Sequence, residues 1–181
     1  MSGKGHKVFF LDRDGTINID DGFTYKIEDW RFTERAPEAL IALRDAGFKL
    51  AVITNQSGIA AGLYTAEDMK KLHEYMEEEL AKSGAKLDYI AYCPHGREDI
   101  CDCRKPRTGM AKQVEAALGP IDYGNSWMIG DKEADLGFGK ALGMHTALIT
   151  SRFWEEDKLS DRPDLIVDSL FEAVKMVLSI R

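Results

Sequence analysis

Short apolar runs alternate with longer stretches of helical periodicity along the chain. Lys7–Leu11, Phe48–Ile53 and Leu87–Tyr92 are compact and largely apolar, as expected of strands buried on both faces. From Thr65 to Gly84, apolar residues recur at helical spacing behind the residues of a capping box, which predicts a long helix. The other predicted elements are a helix over Glu38–Ala46, a helix from about Gly109 to Leu118, a strand over Ser126–Ile129, a helix ending near Gly143, a strand over His145–Ile149, a short edge strand over Leu165–Val167 and a helix from Ser169 onwards.

The repeated order of strand, helix and strand predicts an α/β fold. We expect a three-layer, Rossmann-like parallel sheet with helices on both faces, forming a single domain over residues 1–181. Ligands of such sheets bind beyond the carboxyl ends of the strands. Asp12, Thr54, Cys93 and Asp131 each follow a predicted strand, so these ends are where the chemistry is expected.

Composition narrows the classes of partner. The 181 residues carry a net charge of −7 and no basic stripe, which argues against nucleic acid as a partner. No apolar run approaches the roughly 20 residues that span a bilayer, so we expect no membrane contact. The segment Met1–Lys7 is polar and lacks the apolar stretch of a signal peptide, which predicts a cytoplasmic location. We expect the chain to act as a monomer.

The sequence Asp12-Arg13-Asp14-Gly15-Thr16 directly follows the first apolar strand. Two carboxylates two residues apart can divide the work of phosphate ester hydrolysis. Asp12 would attack phosphorus, while Asp14 would protonate the leaving alkoxide and then deprotonate water. Asp and Gly are also common turn formers, so a simple polar turn is the alternative interpretation of the pair alone.

Three further segments supply groups that suit a phosphate ester. Thr54-Asn55-Gln56-Ser57-Gly58 offers hydroxyl, amide and backbone donors, and Arg104-Lys105-Pro106 offers two cations. Gly130–Asp135 contains Asp131 and Asp135, which are oxygen ligands or supporting partners for Mg²⁺. Each segment alone also fits an ordinary loop or a solvated surface, so their combination carries the interpretation.

All three cysteines lie between positions 93 and 103. Cys93, Cys101 and Cys103 together with His95 make a closed set of three thiolates and one imidazole, which suits a tetrahedral structural Zn²⁺. Buried cysteines beside a surface histidine are the alternative. Since Lys105 follows the last ligand by two residues, zinc would fix the segment that carries this lysine.

In this order, the four segments resemble those of the haloacid dehalogenase superfamily of phosphohydrolases, over essentially the whole chain. The resemblance implies that Mg²⁺ is held by the side chains of Asp12 and Asp131 and by the backbone carbonyl of Asp14. It also implies that Thr54 and Lys105 hold the oxygens of the transferring phosphoryl group. A small phosphorylated metabolite is therefore the expected partner.

The segments between the motifs are too short for a separate cap domain, so an open site is expected. The zinc loop and this capless layout resemble the family of heptose 1,7-bisphosphate and histidinol-phosphate phosphatases. For the heptose members this implies removal of the 7-phosphate. The expected substrate contacts are Asp20, Asp21, Gly22, Phe23, Asn55, Gln56, Ser57, Arg104 and Lys132, with Arg104 and Lys132 holding a second phosphate.

Two features depart from the heptose pattern. Ala61 stands where that group often has an arginine, and only five residues separate His95 from Cys101, as in the histidinol-phosphate enzymes. A histidinol-phosphate phosphatase is therefore the alternative enzyme. A non-catalytic phosphosugar-binding or phospho-acceptor regulator is the alternative of another class, but Asp14 argues against it because an adjacent acid/base speeds hydrolysis. A phosphomutase is a further possibility, but it must exclude water, and no lid is evident in the sequence.

Overall fold

Six parallel strands form one sheet in the order β3-β2-β1-β4-β5-β6. The structure is a computed structural model that describes residues 5–179; part of the polar segment Met1–Lys7 lies outside this range. The strands are β1 (Val8–Leu11), β2 (Lys49–Asn55), β3 (Tyr89–Cys93), β4 (Trp127–Gly130), β5 (His145–Ile149) and β6 (Leu165–Val167). The helices are α1 (Ala36–Asp45), α2 (Ala66–Lys82), α3 (Gly109–Leu118), α4 (Glu133–Ala141) and α5 (Leu170–Ser179).

The sheet separates two hydrophobic cores, which confirms the predicted three-layer α/β fold. Successive residues of a strand point to opposite faces, and β1 shows this clearly. Phe9 and Leu11 pack with α1, α2 and α5 in one core. Val8 and Phe10 pack with α3 and α4 in the other core. All four residues of β1 are fully buried, so this strand anchors the loop that follows it.

The predicted strand positions are confirmed, with every end shifted by two residues or fewer. At the carboxyl ends, β2 continues two residues further to Asn55 and β3 one residue further to Cys93. These two residues are paired in the parallel ladder. Backbone pairing therefore extends beyond the apolar runs and holds a predicted phosphate-binding segment beside the first cysteine.

The direction of winding reverses at β1, which lies between β2 and β4. This is the kind of position at which parallel sheets open a crevice for ligands. The backbone N–H of Asp12 donates to the carbonyl of Ile129 at 2.9 Å, so the ladder ties the residue after β1 to β4. Asp12 and Asp131 consequently emerge side by side. Within residues 5–179, no helix combines the length and apolarity that a membrane span needs.

Ser126 offers a test of how β1 is held at its start. Its Oγ accepts the backbone N–H of Val8 at 2.9 Å and donates to the carbonyl of Asp122 at 2.7 Å, and the residue is fully buried. Ser126→Ala leaves the N–H of Val8 without this acceptor, so we expect about 1–3 kcal/mol less stability by chemical denaturation. The exposed Ser83→Ala is the control, expected within about 0.5 kcal/mol of wild type. Equal stability of the two variants would contradict this account.

Candidate active site

Lys105 lies at the centre of the crevice and is 3 % exposed. Its Nζ donates to Asp12 Oδ1 at 2.8 Å and to the carbonyl of Ile53 at 2.8 Å, and lies 2.7 Å from Asp135 Oδ1. Burial alone lowers the pKa of Lys105, but the charges of Asp12 and Asp135 raise it above its usual value. The lysine is therefore a fixed cation directly beside the predicted nucleophile.

Asp12, Asp131 and Asp135 bring one carboxylate oxygen each within 4.8 Å of one another, and all three are buried. Burial, followed by the charge of Asp12, raises the pKa of Asp131 to about 7 and that of Asp135 to about 6. Both oxygens of Asp135 are occupied by protein groups, because Oδ1 pairs with Lys105 and Oδ2 accepts the backbone N–H of Lys132 at 3.0 Å. Asp12 and Asp131 are therefore the carboxylates available to a cation.

Asp14 is held by three neighbouring side chains. Arg13 donates to both of its oxygens, at 2.8 and 3.0 Å through Nη2. Asn18 donates to Oδ1 at 3.0 Å and Gln56 donates to Oδ2 at 2.9 Å. Burial on its own raises the pKa of Asp14, yet the Arg13 charge and these hydrogen bonds hold it below its usual value.

Gln56 and Thr54 are connected to each other and to the acid. The Gln56 amide nitrogen also donates to Thr54 Oγ1 at 2.8 Å, and Tyr64 Oη donates to the Gln56 amide oxygen at 2.6 Å. Gln56 was predicted as a substrate contact, and although it lines the cavity, its amide hydrogen-bonds within the protein. Its side chain therefore orients Asp14 and Thr54.

The sulfur atoms of Cys93, Cys101 and Cys103 converge with His95 Nδ1, all within 4.8 Å of one another. Cys93 Sγ lies 3.0 Å from Cys103 Sγ and 3.9 Å from Cys101 Sγ, and the cysteines are free thiols. Ligand atoms about 2.3 Å from a tetrahedral zinc are separated by about 3.8 Å. The donor set suits a structural zinc ion, and its ligand atoms converge on one point, although the distance between Cys93 Sγ and Cys103 Sγ is shorter than zinc would impose.

The cysteine cluster is linked to Lys105 by short polar contacts. Arg104 Nη1 donates to the carbonyl of His95 at 3.1 Å. The Asn55 side chain accepts the backbone N–H of Lys105 at 3.0 Å and donates to its carbonyl at 3.2 Å. The segment that carries Lys105 is thus fixed to the cluster on one side and to the end of β2 on the other.

A cavity of about 750 Å³ opens above these groups. Six basic and four acidic side chains line it, so the site is cationic although the chain carries a net charge of −7. This local excess suits an anionic substrate. The predicted site residues that line the cavity are Asp12, Asp14, Asp20, Gly22, Phe23, Asn55, Gln56, Ser57, Arg104, Lys105 and Lys132.

Asp21, Thr54 and Asp131 are predicted site residues that do not line the cavity among the described residues. Thr54 and Asp131 lie directly beneath it, 1 and 2 % exposed. Asp21 is different, because its exposed side chain forms an ion pair with Arg31.

Comparison with known proteins agrees with this geometry. A family model described as HAD-hydrolase-like matches residues 102–173. The D-glycero-beta-D-manno-heptose-1,7-bisphosphate 7-phosphatase of Haemophilus ducreyi is 40 % identical, over 96 % of this chain and 99 % of the relative. The enzyme of the same description from Photorhabdus laumondii is 38 % identical over 98 % of both chains. This chain belongs to that family of haloacid dehalogenase-like phosphatases.

The likeness extends to solved structures of the same family. The structure of D,D-heptose 1,7-bisphosphate phosphatase from B. bronchiseptica, complexed with magnesium and phosphate, has a TM-score of 0.85 and 29 % identity. It covers 97 % of this chain and 99 % of that chain. The corresponding enzyme from Burkholderia thailandensis has a TM-score of 0.68 and 26 % identity. This protein is therefore a phosphatase with the fold that was expected from its sequence.

Several residues that line the cavity were not predicted from the sequence. Arg152 and Phe153 follow β5, and Phe153 lies under Lys132 Nζ with 4.6 Å between the nitrogen and the ring centre. The rule that chemistry follows strand ends, applied to β5, would have found both. Tyr64 and Arg97 carry no comparable signal, because they lie in loops whose course the pattern does not specify.

Gly130 provides a test of the Asp135–Lys105 contact. A Cβ atom at this position would lie 2.1 Å from Asp135 Oδ2, so Gly130→Ala displaces the carboxylate that holds Lys105. Small displacements of catalytic groups can cost about 100-fold in rate, and we expect kcat/KM for p-nitrophenyl phosphate to fall at least tenfold. In Gly124→Ala, the matched control, the new Cβ meets its nearest atom at 3.9 Å. Wild-type kcat/KM in Gly130→Ala would contradict the assignment.

Proposed function

We propose that this protein hydrolyses the 7-phosphate of D-glycero-β-D-manno-heptose 1,7-bisphosphate through an aspartyl-phosphate on Asp12. The observation that carries the proposal is the buried contact of 2.8 Å between Lys105 Nζ and Asp12 Oδ1, in a chain 40 % identical to a phosphatase of that description. A histidinol-phosphate phosphatase remains the second candidate, because of the short loop between His95 and Cys101.

In the first step, an oxygen of the Asp12 carboxylate attacks phosphorus. The bond from phosphorus to the sugar oxygen breaks, and its electron pair passes to that oxygen, which takes the proton of the Asp14 carboxyl group. A substrate dianion beside Asp14 favours the protonated form of this carboxyl group before transfer. Lys105 and the Thr54 hydroxyl offset the charge on the equatorial oxygens of the phosphoryl group.

In the second step, water attacks the phosphorus of the aspartyl-phosphate. Asp14, now a carboxylate, takes a proton from this water, and the bond from phosphorus to Asp12 breaks. Inorganic phosphate leaves, Asp12 regains its carboxylate, and Asp14 is protonated as at the start. The hydrogen bonds from Arg13 and Gln56 to Asp14 keep this carboxylate in one position for both proton transfers.

The donor atoms suit the Mg²⁺ ion that haloacid dehalogenase phosphatases use. The side chains of Asp12 and Asp131 and the backbone carbonyl of Asp14 would hold it, since hard oxygen ligands are what Mg²⁺ prefers. Burial, followed by the charge of Asp12, raises the pKa of Asp131 to about 7, and a bound divalent cation would offset the repulsion between these carboxylates. When bound, the ion offsets the repulsion between the two anions, the phosphate and the attacking carboxylate.

A second phosphate would be met by cations at the rim of the cavity. Lys132 is partly engaged, with its Nζ 2.9 Å from Asp131 Oδ1, and Arg104 donates to the carbonyl of His95. Among residues 5–179, Arg97 and Arg152 form no hydrogen bond or ion pair with protein groups, yet both line the cavity. We therefore add them to Arg104 and Lys132 as candidate partners of the distal phosphate.

The zinc ion is a separate part of the proposal. The closed set of Cys93, His95, Cys101 and Cys103 leaves no open coordination position, so the ion would be structural and would not activate water. Free thiols are retained in reducing compartments, and the proposal includes the cytoplasm as the location. By fixing this loop, the zinc ion would also fix the position of Lys105.

The nucleophile is tested by substitution. Asp12→Asn keeps the shape of the side chain but removes the attacking charge, so turnover should fall to background while the circular dichroism spectrum is unchanged. Asp14→Asn should reduce kcat for the sugar phosphate by about 10² to 10⁴-fold, because acid/base assistance is lost. Substantial Mg²⁺-dependent turnover by Asp12→Asn would refute the mechanism.

Zinc is tested by elemental analysis of protein purified without chelators. We expect about one zinc per chain, retained on dialysis, and freely exchanging Mg²⁺. Cys103→Ser should lower thermal stability and activity together, because the cluster supports the segment of Lys105. The exposed Ser83→Ala, purified and assayed in the same way, is the control. Protein without zinc that has full stability and activity would contradict the structural role.

The substrate is tested by kcat/KM for both anomers of the heptose bisphosphate, histidinol phosphate and fructose 1,6-bisphosphate. We expect a heptose bisphosphate to be preferred about tenfold or more, since one charge-assisted contact contributes about 1.5–3 kcal/mol. Arg104→Ala and Arg152→Ala should lose more on bisphosphates than on monophosphates, whereas the exposed Arg162→Ala should change neither. Preference for histidinol phosphate would favour the second candidate, and equal losses on both substrate types would exclude the distal-phosphate role.

A further inference from the structure

Arg13, between the two catalytic aspartates, is the largest fully buried side chain among the described residues. A buried guanidinium is costly unless its donors are satisfied, and here each nitrogen has an acceptor. Nε and Nη2 donate to Asp14, and Nη2 also donates to the carbonyl of Thr24 at 2.7 Å. Nη1 lies 3.1 Å from Nε2 of His73. His73 is thus the only partner shown for Nη1 in residues 5–179.

The protonation state of His73 follows from this contact. An arginine can only donate, so Nε2 must be the acceptor and the imidazole must be neutral, with its proton on Nδ1. Burial, assisted by the charge of Arg13, lowers the pKa of His73 to about 3. The ring is therefore a constant acceptor throughout the range in which the enzyme would work.

His73 is itself held in place by its helix and by the sheet. It is 7 % exposed, and its ring packs edge-on against Tyr92 of β3, with 6.3 Å between centroids. The helix α2 begins at a capping box between Thr65 and Asp68, which fixes its first turns. The acceptor for Arg13 thus belongs to a rigid element outside the catalytic loops.

We propose that His73 is a positioning residue for the general acid, acting through Arg13, which in turn orients the Asp14 carboxyl group. This inference rests on the proposed function of Asp14. Without an acceptor at position 73, Nη1 would be buried and unsatisfied, and Arg13 would shift toward another partner. Asp14 would then lose its fixed direction toward the leaving oxygen.

The role predicts a dependence on the leaving group. When the ester oxygen belongs to a sugar, the departing alkoxide needs the proton of Asp14 as the bond to phosphorus breaks. When it belongs to p-nitrophenol, the departing phenolate is stable without a proton. Since kcat/KM reports only the steps through the first phosphoryl transfer, it isolates the acid role from the later base role of Asp14.

The experiment compares His73→Leu, which removes the acceptor, with His73→Gln, whose amide oxygen can replace it. Met69→Leu, a fully buried change one turn earlier on the same helix, is the packing control because such swaps cost little. Kinetics are measured on the heptose bisphosphate, fructose 1,6-bisphosphate and p-nitrophenyl phosphate, and thermal unfolding is followed for each variant.

We expect His73→Leu to lower kcat/KM at least about tenfold on the sugar phosphates, as part of the 10² to 10⁴-fold acid contribution, and less than about threefold on p-nitrophenyl phosphate. His73→Gln should recover most of the loss, and Met69→Leu should show none. Equal losses on both ester types, no loss in His73→Leu, or no recovery in His73→Gln would overturn the inference. If the heptose bisphosphate proves not to be the substrate, the comparison of fructose 1,6-bisphosphate with p-nitrophenyl phosphate still tests the role of His73.

Discussion

The ion pair between buried Lys105 and the carboxylates of Asp12 and Asp135 is the constraint on which the site depends. Three acids crowd together at the ends of β1 and β4, and their repulsion would oppose folding in a dry crevice. Lys105 offsets part of this charge, with Nζ 2.7 to 2.8 Å from two of them. The same contact fixes the Asp12 carboxylate at the cavity, while both oxygens of Asp135 are held by Lys105 and by the backbone N–H of Lys132.

Asp12 and Asp14, the two proposed catalytic residues, are each held by a cation that has a further contact in a distant part of the chain. Lys105 is carried by a loop without regular secondary structure, and the cysteine cluster and Asn55 fix this loop at either side. Arg13 is adjacent to Asp14 in sequence, but His73 of α2 fixes its far end. In each case, a long and flexible charged side chain is held in one position because its second contact is on a rigid part of the protein.

Much of this arrangement was predictable because it follows from regular periodicity. Compact apolar runs located the strands, and parallel strands bring their carboxyl ends to one edge, so Asp12, Thr54, Cys93 and Asp131 were expected to meet. The contacts of His73 and Gln56 were not predictable. His73 is 60 residues from Arg13 and lies at ordinary core spacing on its helix, and the amide of Gln56 suits a substrate as well as a carboxylate. Only packing of the whole chain decides between such partners.

The central claim is that Asp12 carries the phosphoryl group during turnover. It is tested most directly by acid-quenching Asp14→Asn with p-nitrophenyl phosphate and mapping peptide masses. Phenolate leaves without the proton of Asp14, while hydrolysis of the intermediate lacks its base, so the intermediate should accumulate. The account predicts one phosphoryl group on the peptide that contains Asp12, removable by hydroxylamine. Release of p-nitrophenol with that peptide unmodified, or with the label on another residue, would contradict it.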